Sequence, residues 1–148
     1  MAERKYEKYV VTQLKTPQDI QDGAAEYSTR ATRILWMDDA VVPGSFHVNT
    51  AWYLKATEKE GTPSHVHDDY DEIIGFFGGD PDNPNDLGGE IEFWIEDEMY
   101  SITKSTMIFA PRGIRHCPLR VVRVDKPIFH FTIVPDGDYH QDDIVEEG

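Results

Sequence analysis

Four side chains in this chain can bind a metal together: His65, His67, Glu72 and His116. In an extended segment residues i and i+2 share a face, so His65 and His67 turn both imidazoles toward one point while Val66 packs the other way. Glu72 adds an oxygen donor from a neighbouring stretch, and Asp71 is its alternative, separated from it only by strand register. His116 arrives from a distant segment behind Pro111-Arg112-Gly113, where the proline pre-sets its own φ and the glycine permits a tight bend. Three imidazoles and one carboxylate suit iron, manganese, nickel, cobalt or zinc, because this mixture of intermediate and hard donors excludes a purely thiophilic metal. Each piece alone has a plainer meaning. A His-x-His in a polar loop is as often a solvated turn, and Pro-x-Gly-x-x-His is more often an ordinary turn.

Taken together, Gly61, then His65-x-His67-x4-Glu72-x6-Gly79, then Pro111-x-Gly113-x2-His116 resemble the two signature motifs of the cupin superfamily. The family pattern has five residues between its first glycine and first histidine, whereas this chain has three. The resemblance spans roughly residues 45 to 135. It implies a double-stranded β-helix, a jelly-roll barrel with one divalent metal inside an open end, held by the four residues in this order. It also implies a homodimer. A metal that accepts six ligands and takes four from the protein keeps positions for a chelating substrate, for dioxygen or for a water of lowered pKa. A closed structural site would be tetrahedral and often cysteine-containing. The implied function is a metal-dependent enzyme acting on an oxygenated small molecule, with an oxygenase as the leading class. An isomerase, lyase or decarboxylase, and a binding or sensing module without catalysis, are the alternatives.

Other residues near these motifs are candidates for the same pocket. Arg112 and Arg115 flank His116 and can orient a carboxylate by bidentate hydrogen bonds, or can be plain surface arginines. Tyr53, Phe76, Trp94 and Phe131 are candidates for an apolar wall, although aromatics in barrel strands are mostly core. His130 sits between Phe129 and Phe131, and His47 opens a strand. Either would serve as a pocket acid or base, with a packed core histidine as the plainer reading of His130. Cys117 follows His116, and strand alternation turns it away from the ligand side unless a bulge intervenes.

The elements that must position these residues read as short strands between turn formers, with no convincing amphipathic helix, so the fold class is all-β. Residues 1–30 read as an edge strand around Tyr9-Val10-Val11-Thr12 and a loop, with Thr16-Pro17 as a turn or helix start. Arg33-Ile34-Leu35-Trp36-Met37 is a strand, and Val41-Val42-Pro43-Gly44 reads as another ending in a turn. From Ser45 to Lys55 two sets of residues alternate, and either set can face the interior. Gly78 to Gly89 is a long turn, Glu90 to Glu96 a half-buried strand, and Asp125-Lys126-Pro127 reads as the turn of a hairpin. Residues 136–148 read as a polar, acidic, frayed tail.

Composition bounds the partners. A chain of 148 residues suits a single domain that buries its core without disulfides. With 14 lysines and arginines against 28 acids, its formal charge of −14 opposes nucleic acid and anionic membranes. The lone cysteine, the polar amino terminus and the absence of a long apolar run give the expectation of a cytoplasmic protein without membrane span or signal peptide, acting on a small molecule.

Overall fold

The computed structural model describes residues 4–57 and 61–137, and 142–145 as backbone. Ten strands follow a one-turn 3-10 segment (Glu7–Tyr9) and two short helices, α1 (Gln18–Asp22) and α2 (Ala24–Tyr27). They are β1 (Ala31–Met37), β2 (His47–Tyr53), β3 (Ser64–Val66), β4 (Glu72–Gly78), β5 (Asp86–Ile95), β6 (Glu98–Lys104), β7 (Thr106–Ala110), β8 (His116–Val124), β9 (Ile128–Val134) and β10 (Asp142–Val145). One sheet has the order β1-β2-β9-β4-β7 and the other β10-β3-β8-β5-β6, with every pairing antiparallel. Two antiparallel sheets facing each other in this interleaved order are the expected double-stranded β-helix. Among the described residues no helix is long and apolar enough to cross a membrane.

Alternation decides what fills the space between the sheets. On β5, Leu87, Ile91 and Phe93 are fully buried and point inward, while Glu90 and Glu92 point outward to Arg123 and Arg120 of β8. Inward residues of both sheets, among them Ile74, Phe76, Ile108, Leu119, Val121 and Ile128, join them in one apolar cluster. Burying a side chain such as Phe93 contributes about 1.5 to 3 kcal/mol. On β2 the inward set is His47, Asn49, Ala51 and Tyr53, which register places beside the inward residues Val134, Thr132, His130 and Ile128 of β9. The larger apolar set, Val48, Thr50 and Trp52, therefore faces out.

That outer face is unusual. Its rows run Trp52, Phe129, Phe77, then Thr50, Phe131, Gly75, Met107, then Val48, Ile133, Ile73, Phe109, without a charged side chain. Close packing is built into it: a Cβ on Gly75 would lie 2.2 Å from the Phe131 ring. At its β7 edge Met107 and Phe109 are 62% and 60% exposed.

Several sequence expectations are corrected. Tyr9 to Thr12 form no strand, and Tyr9 and Val10 stand exposed while the chain turns into α1 behind Pro17. Val41 to Gly44 are a turn, because the Asp38 carboxylate accepts the N–H groups of Ala40 and Val41, both at 3.0 Å, that a strand would offer a neighbour. The long turn stops at Asn85, and Asp86 to Gly89 already belong to β5, anchored by the buried Leu87. Asp125-Lys126-Pro127 closes no hairpin: β8 and β9 lie in different sheets, and the Asp125 and Lys126 N–H groups both donate to the Gly88 carbonyl. The tail is not wholly frayed, since β10 pairs with β3, and the rest of residues 138–148 lies outside the described residues.

Candidate metal centre

Register brings the two halves of the site together. His65 of β3 is the antiparallel partner of His116 on β8, so two imidazoles from segments fifty residues apart become neighbours, with ring centroids 4.4 Å apart. His67 lies just beyond β3, its ring 4.8 Å from that of His65 and 5.1 Å from that of His116. The turn that delivers His116 is tied to this strand, because the Gly113 N–H donates to the His67 carbonyl at 2.8 Å. Gly113 has φ +82°, a left-handed conformation that explains the glycine. Glu72 opens β4 in the opposite sheet and reaches across the interior. The four candidate ligand atoms lie within 4.8 Å of one another, and all four residues are at most 3% exposed.

The imidazoles are aimed by the backbone. His65 Nδ1 donates to the Pro63 carbonyl at 2.7 Å, and His116 Nδ1 to the Ile114 carbonyl at 3.2 Å. Such bonds fix the tautomer and present Nε2 as the ligand atom. His65 Nε2 is then a buried nitrogen with no hydrogen-bond partner among the described residues, which ordinarily costs about 1 to 3 kcal/mol. The Nε2 atoms of His67 and His116 both close on Glu72 Oε2, at 2.8 and 2.9 Å. Without a cation those contacts need protons on the nitrogens. A divalent cation satisfies all four groups at once, since ligands about 2.1 Å from one ion lie about 3 to 4 Å from each other. The donor set therefore fits a metal ion.

Electrostatics agree with that fit. Burial would raise the Glu72 carboxyl, but hydrogen bonds from His116 and His67 outweigh it and bring it down to about 2. Burial lowers His65 to about 4, partly opposed by its bond to the Pro63 carbonyl. Burial thus favours the neutral imidazole at His65, and the two hydrogen bonds favour the ionised carboxylate at Glu72, the forms that bind metal. Asp71 is committed elsewhere. It accepts the Arg112 N–H at 2.9 Å, which lowers its carboxyl, and lies 3.5 Å from the Arg112 guanidinium. Of the two candidate carboxylates, only Glu72 reaches the imidazoles.

The other nominated residues divide. Phe76 is fully buried and stacks on His130 at 4.9 Å, and Tyr53 stacks on His130 at the same distance, with the Tyr53 and Phe76 rings 6.3 Å apart. Both line the interior. Trp94 and Phe131 do not: Trp94 shares the outer face of Glu92 and Phe131 the outer face of its own sheet, because each is one residue out of phase with an inward neighbour. Arg112 is exposed on the turn with Asp71, and the Arg115 N–H donates to the Glu96 carboxylate. His130 donates from Nδ1 to the Gly75 carbonyl, and its Nε2 lies 3.5 Å from the Thr132 hydroxyl. His47 is fully buried, accepts a 2.8 Å bond at Nε2 from the Asn49 amide and packs edge-on to Trp36. Burial lowers both histidines to about 4, so each is neutral inside the barrel. Cys117 has φ +67° and points into the apolar core, where burial raises its thiol. Three neighbours were not foreseen. Tyr70 stacks on His67 at 4.8 Å, Phe93 on His116 at 6.4 Å, and Arg33 enters the interior from β1.

No family model and no curated protein matches the sequence. Solved structures match it in fold. A recombinant oxalate oxidase in complex with glycolate aligns over 90% of this chain and 62% of its own, with 15% identity and a TM-score of 0.52. An uncharacterised double-stranded β-helix protein from Klebsiella pneumoniae aligns over 78% and 77%, with 15% identity and a TM-score of 0.49. KdgF from a Halomonas species aligns over 71% and 78%, with 15% identity and a TM-score of 0.44. The chain spans 52% to 62% of the length of the oxalate oxidase chains it matches.

Proposed function

Starting from a chain with the cupin fold, the double-stranded β-helix, we propose a metal-dependent enzyme that acts on an oxygenated small molecule, with an oxygenase as the leading class. One observation carries the reading: His65, aimed through its Nδ1 bond to Pro63, presents a partnerless buried Nε2 to the same point where His67, Glu72 and His116 converge. In this reading those four residues bind one divalent transition metal, with iron, manganese, nickel, cobalt or zinc all compatible with the donors. The metal, when bound, supplies Lewis acidity or, as iron, redox chemistry. The chain supplies the rest. Pro63 and Ile114 carbonyls hold the imidazoles in their binding tautomer, Tyr70 and Phe93 wall the site, and His130 and His47 stand as neutral imidazoles in the same interior. That last feature favours the second reading, an isomerase, lyase or decarboxylase, in which a base rather than dioxygen completes the reaction. A binding or sensing module is the third.

The experiment loads apo protein separately with iron, manganese, nickel and zinc and screens hydroxy acids, diketones, phenols and sugars with and without oxygen. The glycolate bound by the oxalate oxidase makes small hydroxy acids the first compounds to try. Turnover only with iron and oxygen supports the oxygenase and anaerobic turnover the second reading. Metal-dependent binding without turnover leaves the sensor. The partner beside a small molecule is a second copy of the chain. The uncharged outer face of the β1-β2-β9-β4-β7 sheet supports this, because a formal charge of −14 makes other surfaces repel. Light scattering on Met107→Lys/Phe109→Glu tests it, and an unchanged mass refutes this face. The charge also supports a protein that avoids nucleic acid and membranes, and a cytoplasmic site is our proposal for it.

A further inference from the structure

Arg33 is placed by the register of β1. It pairs with Ala51, which pairs with His130 on the inward face of the sheet, so Arg33 stands on the same side as the interior histidines. Ala51 has only a methyl group to interpose. The guanidinium carbon of Arg33 lies 4.2 Å from the Tyr27 ring and 5.4 Å from the Trp36 ring. Trp36 in turn packs on His47, with centroids 4.6 Å apart. Two aromatic faces hold the guanidinium by cation–π attraction, which uses its faces and leaves the in-plane N–H donors open.

Those donors meet no acid among the described residues. Arg30, Arg112, Arg120 and Arg123 each lie against a carboxylate, but the guanidinium of the half-buried Arg33 has no ion pair or hydrogen bond with any described residue. In a chain with twice as many acids as bases this is a selective omission. Register sets Arg33 in one inward row with Ala51 and His130, and Trp36 joins the arginine to His47, so Arg33 shares with these two rings the interior that Glu72 enters from β4. A divalent ion on three neutral imidazoles and one carboxylate also keeps a net positive charge. Positive charge therefore stands at two places along one interior surface.

We propose that Arg33 is a substrate-positioning residue that takes a carboxylate of the ligand in a bidentate grip while the ligand's oxygenated end sits at the His65, His67, Glu72 and His116 cluster. The substrate class is then a hydroxy or oxo acid with a second carboxylate remote from the reacting end. This rests on the reading of the cluster as a metal site. A planar carboxylate matches the guanidinium fork.

The test uses manganese-loaded full-length protein and isothermal titration with malate, 2-hydroxyglutarate and 2-hydroxyadipate against 2-hydroxybutyrate. At least one dicarboxylate should bind about 10- to 100-fold more tightly than the monocarboxylate, as a charge-assisted pair allows. Arg33→Gln should abolish that preference with manganese content and 2-hydroxybutyrate affinity unchanged, and Arg33→Lys should recover part of it. A metal-bound wild type that shows no preference in the series overturns the role of Arg33 alone. So does a preference that survives in Arg33→Gln or, should that variant not fold, is undiminished in Arg33→Lys. Wild type that takes up no manganese overturns the metal centre, and this inference with it.

Discussion

Replacing Glu72 with glutamine isolates the electrostatics of the site. Its carboxyl stands at about 2 in the folded chain against an ordinary 4.5, because hydrogen bonds from His116 and His67 outweigh the cost of burial. A difference of about 2.5 units corresponds to about 3 kcal/mol of stability. The sign follows from the direction. A depressed carboxyl stabilises fully above its unfolded value, and the contribution disappears as pH falls through the folded value. Urea unfolding of metal-free wild type and Glu72→Gln, followed by tryptophan fluorescence with chelator present, should give a gap of about 3 kcal/mol near neutral pH. The gap should hold down to about pH 5, narrow below about 4.5 and nearly close at about 2. A gap of the same size at neutral pH and near pH 3, or a variant as stable as wild type throughout, would refute the argument that the imidazoles hold this carboxylate ionised.

Other outcomes follow from the same geometry. His67→Ala and His116→Ala should lose most of their metal by elemental analysis, and full occupancy in both would remove the site. Chelation should leave wild type folded but lower its melting temperature by several degrees, since ligand binding adds to a core that stands without it; calorimetry checks this. Asp71→Asn should keep its metal, because Asp71 bonds to Arg112 rather than to the cluster, whereas Glu72→Gln should not. Phe93→Ala should cost about 3 to 5 kcal/mol and Trp94→Ala less than about 1, as one residue is fully buried and its neighbour faces outward; denaturant midpoints decide it.

The residue types and spacings were enough to mark the ligands and the strands that hold them. His-x-His is a local geometric fact of extended chain, and the Pro111 to Gly113 turn is local backbone chemistry, so both were legible before any fold was known. The same holds for β5, where Glu90, Ile91, Glu92 and Phe93 alternate by face. Everything that depends on which strands become neighbours was not. Asp125-Lys126-Pro127 has turn composition whether it closes a hairpin or carries the chain between sheets, and only the partners of β8 and β9 distinguish the two. Trp94 and Phe131 are apolar on either face, so their outward phase is set by the register of their sheets rather than by their chemistry. Glu72 and Asp71 differ by one residue, and the choice between them was made when Arg112 came across from the distant turn to take one of them. Arg33 carries no motif at all. Its place inside the barrel exists only because β1 pairs with β2 in a register that sets it beside Ala51. Local periodicity is written in consecutive residues, whereas register and partner choice arise from contacts between residues far apart in the chain.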